Sequence, residues 1–326
     1  MSAAEKTRPL KQPATTPAHL AIQQRLFTYL REANSSGSNG GNTNFDLNTV
    51  FPQTDSAAEL LMQIDTLKQC LDSFRPFSTS EAKSLADAFD LEYTYESNRI
   101  EGNSLTLAET QVVLEKGITV NGKPLIHHLE AFSHRDALIF IKQLISTNQP
   151  FTPSVLLEIN RIILKGSVHE AESGRFRQRR VTITGSQHIP PNYMVVPDKM
   201  AALYADLAQW LAEGVHPVQI AADLHFQLVK IHPFIDGNGR SSRLVMSLWL
   251  MKHGYTIANL SGADKDRIKY YDALERASVH DDLEPFRMMV YERAKASLIW
   301  HIDGLTPVAE SGRGLYYLET IAHSLL

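Results

Sequence analysis

The sequence predicts an all-α domain carrying one short β-hairpin flap, and three observations lead there. From Ser56 onward, apolar residues recur at helical spacing through nearly every segment, with capping residues and glycines at the segment ends. One stretch breaks that rule: Val181-Thr182-Ile183-Thr184-Gly185 alternates apolar and polar residues before His188-Ile189-Pro190-Pro191 stops any ladder. The 326 residues are 43% hydrophobic, enough for a sizeable core.

The elements follow in order. Residues 1–18, rich in Pro, Thr and Lys, and the Ser/Gly/Asn tract 34–44 lack periodicity, so 1–55 reads as a flexible region with one short helix over His19–Arg31. A helix is expected over Ala57–Phe74. A second starts at a Thr79 or Ser80 cap and runs to about Ile100. Thr106-Leu107-Ala108-Glu109 is a capping box for a helix that stops at Gly117, and Asn121-Gly122 is a turn. A long amphipathic helix spans about Ile126–Ile145. Thr152-Pro153 caps the next, Ser154–Lys165, which Gly166 closes. Beyond the flap come helices over Pro197–Glu213, Pro217–Ile231, Leu244–Met251, Asp266–Ala277 and Leu283–Trp300. The expected division is N-terminal helices at 56–120, a core at 121–300 and a tail at 301–326. No internal repeat is present.

A formal charge of -4 and a pI near 6.4 argue against a nucleic-acid binder working by bulk charge. The local exception is the basic strip Arg175-Phe176-Arg177-Gln178-Arg179-Arg180. A single cysteine, Cys70, excludes an internal disulfide and fits a reducing compartment. No apolar run reaches membrane-span length, and Met1–Lys11 has no apolar signal region. A cytoplasmic location is expected, with export as an effector left open.

Chemistry concentrates in His232-Pro233-Phe234-Ile235-Asp236-Gly237-Asn238-Gly239-Arg240-Ser241-Ser242-Arg243, a polar loop between two apolar helical segments. Gly237-Asn238-Gly239 entering a helix lets successive N–H groups point into one concavity, where the helix dipole favours an anion. Arg240 and Arg243, one turn apart, suit a polyphosphate. Asp236 is a hard oxygen ligand for magnesium held jointly with phosphates. His232 is a candidate general base. Phe234 reads as the loop's anchor in the core.

A second stretch, Glu96 to Asn103, closes the helix ending near Ile100. Gly102 as the C′ residue places Glu101 at the negative end of the helix dipole, where a carboxylate calls for a cation. His127, His128 and His134 do not match a recognised zinc spacing, and a surface role is expected for them.

Together, His232 to Arg240 and Arg243 resemble the signature of the Fic domain family, closest to its HYPE-like group, whose members mostly transfer AMP from ATP to a protein hydroxyl. The resemblance covers about Leu85–Ala296. It implies a mainly helical Fic fold and His232 as catalytic base. Asp236 would hold the metal, Mg2+ or alternatively Mn2+. Gly237, Asn238 and Gly239 would form the anion nest, with Arg240 and Arg243 on the phosphates of ATP. Gly174 to Arg177 and Gly185 to Pro191 match the family's flap pattern. The flap implies an ATP enclosure by Gly185, Ser186, Gln187 and His188, and a target protein added as a strand along 181–191. Tyr270 and Tyr271 fall where the family contacts adenine, and Ser278 stands where it carries an amide. Ser97-x-x-x-Glu101-Gly102 resembles the inhibitory motif, which implies that Glu101 pairs with Arg243.

Three functions follow from this reading: AMP transfer to a Ser, Thr or Tyr hydroxyl under autoinhibition; removal of AMP from a modified protein with Glu101 activating water; and a non-catalytic nucleotide-sensing module, with DNA on Arg175–Arg180. The expected partners are ATP and the target protein, with a homodimer and automodification as further expectations; neither membrane nor nucleic acid is expected.

Overall fold

The computed structural model describes residues 24–25, 47–73 and 80–305. The expected helix over His19–Arg31 lies outside them apart from 24–25, which are helical; the tract 34–44, the Thr79 cap and the tail beyond 305 also lie outside. After a short helical turn, Leu47–Val50, ten longer helices follow. These are α1 (Ala57–Ser73), α2 (Ser80–Ile100), α3 (Leu107–Lys116), α4 (Leu125–Ser146) and α5 (Pro153–Ile163), then α6 (Val196–Glu213), α7 (Pro217–Ile231), α8 (Asn238–Lys252), α9 (Asp264–His280) and α10 (Glu284–Leu305).

Local chemistry sets these boundaries much as expected. Thr106 and Glu109 form the full reciprocal capping box of α3, and Gly117 ends it in the left-handed conformation. Thr152 caps α5 ahead of Pro153, and Gly214 closes α6.

At the centre, α7 and α8 form an antiparallel hairpin. Helices α4 and α5 pack on α8, α6 and α10 lie against α7, and α1 lies along α10. The α2 helix crosses α4 and also touches α8 and α10, while α3 rests on α2 and α4. The middle of α8 is buried on every side, including Arg240, Ser241, Ser242, Arg243 and Ser247. A helix buried all round is ordinarily apolar. Ser242 Oγ turns back to Asn238 O of its own helix and Ser241 Oγ has no partner among the described residues, whereas Arg240, Arg243 and Ser247 find partners on neighbouring elements, and those of the two arginines build the site.

Two expectations are corrected. Among the described residues no strand forms, so the flap is not a β-hairpin. Residues 181–191 instead make a turn, with Ser186 N–H donating to Ile183 O at 3.2 Å, flanked by residues without regular secondary structure. A two-stranded ladder is marginal by itself, and Pro190 and Pro191 bring no N–H donors to it. The second correction concerns the histidines of α4. His134 is fully buried, its Nδ1 3.3 Å from Thr94 Oγ1 and its ring edge-on to Tyr93. His128 is 2% exposed and accepts at Nε2 from Val120 N–H at 2.8 Å. Both face inward because α4 is covered by α2, α5 and α8, which a helical period alone does not reveal. His127 stays half-buried near the surface, bound by Ser104.

Candidate active site

The loop between α7 and α8 is held rigidly. His232 ends α7 at φ 51°, ψ 59°, its N–H donating to Leu228 O at 2.9 Å. A non-glycine residue in the left-handed region is strained unless its surroundings fix it. Arg177 supplies that fixation: its Nε donates to His232 O at 2.8 Å, its Nη2 to Pro191 O and its Nη1 to Arg179 O, while its backbone N–H donates to Pro233 O. Phe234 is fully buried, as expected of the anchor. Asn238 closes the loop with its side chain, accepting from Phe234 N–H at 2.9 Å and donating to Phe234 O at 3.0 Å. Asn160 of α5 braces it from below, donating to Asp236 O at 3.0 Å and accepting from Gly174 N–H at 3.1 Å.

His232 Nδ1 lies 3.3 Å from Val229 O, an acceptor only, so Nδ1 carries the hydrogen and Nε2 keeps its lone pair. Burial is the main reason that the imidazole is pushed down to about 4, with Arg177 adding to the effect. It is neutral at physiological pH, the form a base requires.

Asp236 is half-exposed, with Oδ1 accepting from Gly237 N–H at 2.6 Å and Oδ2 3.7 Å from Arg240 Nη2. Its carboxylate faces solvent beside the nest. One carboxylate so placed fits a magnesium ion that takes its remaining ligands from phosphates and water. Gly237 adopts φ 75° and hands over to α8, whose first turn points its N–H groups into the concavity.

The two signature arginines do not converge on one point. Arg240 donates to Glu130 Oε1 of α4 at 3.1 Å. Arg243, 1% exposed, turns to α2: Nε donates to Ser97 Oγ at 3.0 Å, and Nη2 to Ser97 O at 2.9 Å and to Glu101 Oε1 at 2.6 Å. Its Nη1 donates to Tyr270 Oη at 3.3 Å. The predicted cation for Glu101 is thus present. Enclosure by protein raises the Glu101 pKa, but Arg243 and Arg240 outweigh this and hold the carboxyl below its ordinary value. A methyl group on Gly239 would meet Glu101 Oε1 at 2.4 Å, so the carboxylate lies directly over the nest, where only glycine leaves it room. The site already holds an anion, supplied by the chain itself.

The remaining predicted residues take different positions. Tyr270 is buried at 2% exposure with its hydroxyl on Arg243, whereas Tyr271 is 45% exposed and donates to Ile100 O at 3.0 Å. Ser278 lies two turns on, half-buried. Gly102 follows Glu101 at φ 92°. In the flap, the turn glycine is Gly185 at φ 81°; Ser186 Oγ donates to Glu275, Gln187 N–H donates to Glu275 Oε1 at 2.7 Å, and His188 Nε2 lies 2.8 Å from Lys230 O. Glu275 of α9 therefore moors the flap. It escaped the sequence reading, as did Glu130, Asn160 and His225. A single carboxylate or amide inside an amphipathic helix carries no local signal of its partner. Arg177 stood in a quoted pattern, but as part of a basic strip. Its burial removes it from any DNA-facing surface, and Arg179 is paired with Glu172 at 2.8 Å.

Among the described residues, no helix is long and apolar enough to cross a membrane. A family model described as the Fic/DOC family matches residues 150–250. A protein adenylyltransferase Fic from Nematostella vectensis is 35% identical over 229 residues, 70% of this chain and 52% of that protein. Its namesake from Drosophila virilis is 33% identical over 269 residues, 81% of this chain and 53% of that one. The chain spans about half the length of these curated relatives. Among solved structures, a Fic domain containing signaling protein from Bacteroides thetaiotaomicron aligns with a TM-score of 0.62 at 28% identity, covering 81% of this chain and 96% of that one. Fic-1 from C. elegans aligns with a TM-score of 0.67 at 26% identity, covering 92% and 91%.

Proposed function

We propose that this chain, which belongs to the Fic/DOC family, transfers AMP from ATP to a hydroxyl of a protein target and is restrained by its own Glu101. The observation that carries the proposal is Glu101 seated over Gly239 and bonded to Arg243, an internal anion in a cradle suited to phosphate. In this reading Arg243 is shared between Glu101 and the γ-phosphate of ATP. With Glu101 in place the triphosphate loses a forked donor and meets a negative charge, so it binds in a pose unsuited to attack. The names borne by the curated relatives support the same chemistry.

With Glu101 displaced, the target hydroxyl oxygen bonds to the α-phosphorus while the bond to the bridging oxygen breaks and pyrophosphate departs. His232 Nε2 takes the hydroxyl proton. Arg240 and the N–H groups opening α8 hold the phosphates in line. Asp236 would hold magnesium, which neutralises charge on the leaving pyrophosphate. Gly185 to His188, moored by Glu275, close over the nucleotide, and Tyr271 offers its exposed ring to the base. The segment 181–191, which has no ladder of its own, would take a target segment added as a strand. Residues 56–120 then form the restraining part and 121–300 the catalytic part. A reducing cytoplasmic setting suits Cys70, whose thiol burial pushes up to about 12.

The test is incorporation of labelled AMP from ATP, on itself and on candidate targets. The unsubstituted protein should label weakly, Glu101→Gly strongly, and Glu101→Gly with His232→Ala not at all while still binding nucleotide. Labelling by the double variant would remove His232 as the base. No labelling by Glu101→Gly would remove the transferase reading. A second reading, removal of AMP from a modified protein, draws on the ionised Glu101 in the same cradle as His232. It predicts that Glu101→Gly loses hydrolysis as it gains transfer.

A further inference from the structure

Behind Arg243 lies a buried histidine that the mechanism does not use. His225 of α7 is fully buried, seven residues before His232 in the sequence. Its ring packs against Phe286, centroids 4.9 Å apart and planes tilted by 32°, and stands edge-on to Tyr270. Its Nε2 is 3.2 Å from Tyr270 Oη, and that same oxygen is 3.3 Å from Arg243 Nη1.

The donor inventory fixes how this chain of contacts runs. A guanidinium has only donors, so Tyr270 Oη accepts from Arg243 and must send its own hydrogen elsewhere. Among the described hydrogen bonds its other partner is His225 Nε2, so the imidazole accepts there and carries its hydrogen on Nδ1, which is buried with no partner among the described residues; the opposite tautomer would instead leave the Tyr270 hydroxyl hydrogen without an acceptor. An imidazolium would face Tyr270 with a second donor and place a second buried cation near Arg243. Burial, reinforced by Arg243, holds His225 far below its ordinary pKa and so preserves the neutral form.

We propose that His225 is a positioning residue for the nucleotide reaction: through Tyr270 it holds the Arg243 guanidinium in place when Glu101 lets go, so that the freed Nη2 meets the terminal phosphate already oriented. This rests on the reading of Arg243 as a phosphate ligand. Glu101 and Ser97 hold one side of the guanidinium, and Tyr270 holds the other. Release of Glu101 leaves the Ser97 and Tyr270 contacts as the restraints. The hydroxyl that donates to His225 is polarised and accepts more strongly from Arg243. His225 thereby acts on an arginine that it does not touch.

The test uses the Glu101→Gly protein, with dissociation constants for ATP and AMP measured calorimetrically. Tyr270→Phe and His225→Phe should each weaken ATP about tenfold, the scale of one hydrogen bond to a charged group, and leave AMP unchanged. His225→Gln, which keeps an acceptor at that reach, should retain most of the affinity. The Tyr270→Phe/His225→Phe double variant should be no weaker than Tyr270→Phe alone. Equal weakening of ATP and AMP, or additive losses in the double variant, would overturn the proposal. If the Glu101→Gly protein itself binds ATP no better than AMP, the phosphate role of Arg243 fails instead. Should the substituted proteins fail to fold, nitrogen NMR of the unsubstituted protein decides. His225 should show a bare Nε2 and a protonated Nδ1 from neutral to mildly acid pH, and the opposite tautomer would refute the relay.

Discussion

Arg243 and Glu101 stand 142 residues apart in sequence and 2.6 Å apart in space. The pair joins the end of α2 to the first turns of α8, so a helix outside the signature controls the cradle inside it. Arg243 is wholly buried, whereas 33% of the Glu101 side chain faces solvent. The acid is therefore the movable partner. The arginine stays, held by Ser97 and Tyr270.

Glu101→Gly should raise ATP affinity by at least about tenfold, since it frees a charge-assisted donor and removes a like charge from the terminal phosphate. AMP affinity should hardly change, because AMP lacks that phosphate. Calorimetric titration with ATP, ADP and AMP checks this. Equal gains for all three nucleotides would mean that Glu101 merely blocks the entrance.

His232 should govern an unusually low acid limb. With its imidazole held at about 4, the free enzyme keeps a neutral base far below the ordinary histidine range. The rate kcat/KM for Glu101→Gly should therefore show no inflection from His232 near 6.5, its ordinary value. Protonation should cost activity only near pH 4. Glu101 raises the His232 pKa, so its removal moves this limb lower still. A pH profile of initial rates reads the inflection directly.

Arg177→Met should loosen both the catalytic loop and the flap. Its guanidinium serves the carbonyls of His232, Arg179 and Pro191, and methionine keeps only part of the buried stem. Leaving an enclosed acceptor without its donor costs roughly 1–3 kcal/mol; Arg179 is exposed, so its carbonyl can turn to water, and the carbonyls of His232 and Pro191 together give an expected loss of about 3 kcal/mol. Urea unfolding gives the stability. Hydrogen exchange should show faster opening at 231–234 and 189–192, with α1 and α10 unchanged.

The helices were legible because periodicity, capping boxes and glycine stops are local signals, as Thr106, Gly117 and Gly214 demonstrate. The catalytic loop was legible for a similar reason: its chemistry is contiguous in the chain. Glu130, Asn160, Glu275 and His225 were not. Each acts on a residue far off in the chain, Glu130 and His225 across helix–helix contacts and Asn160 and Glu275 on the catalytic loop and the flap, and an acid or amide on a helix face looks the same whether it meets water or such a partner. The flap misled for the converse reason. Its alternating pattern suits a strand, yet a strand needs a partner to pair with, and none is present among the described residues. His128 and His134 were misplaced because burial on α4 depends on three neighbouring helices.

The buried histidines should make the fold sensitive to acid. His134 is pushed down to about 3, chiefly by burial with Arg243 and Arg240 adding, and His225 lies well below its ordinary value for the same kind of reason. In both, the folded pKa lies below the unfolded one of about 6.5, so the unfolded chain binds more protons as acid is added. The stability is thus complete above pH 6.5 and falls below it, by about 1.4 kcal/mol per pH unit for each histidine. Between pH 6.5 and about pH 5 His134 alone should remove about 2 kcal/mol, with His225 and His232 adding in the same direction, a large share of a typical domain's stability. Urea unfolding at a series of pH values measures the slope. His134→Phe should reduce it by one proton, leaving the slope due to His225 and to His232, which burial holds at about 4. An unchanged slope in that variant would mean that His134 takes up its proton without unfolding the helices around it.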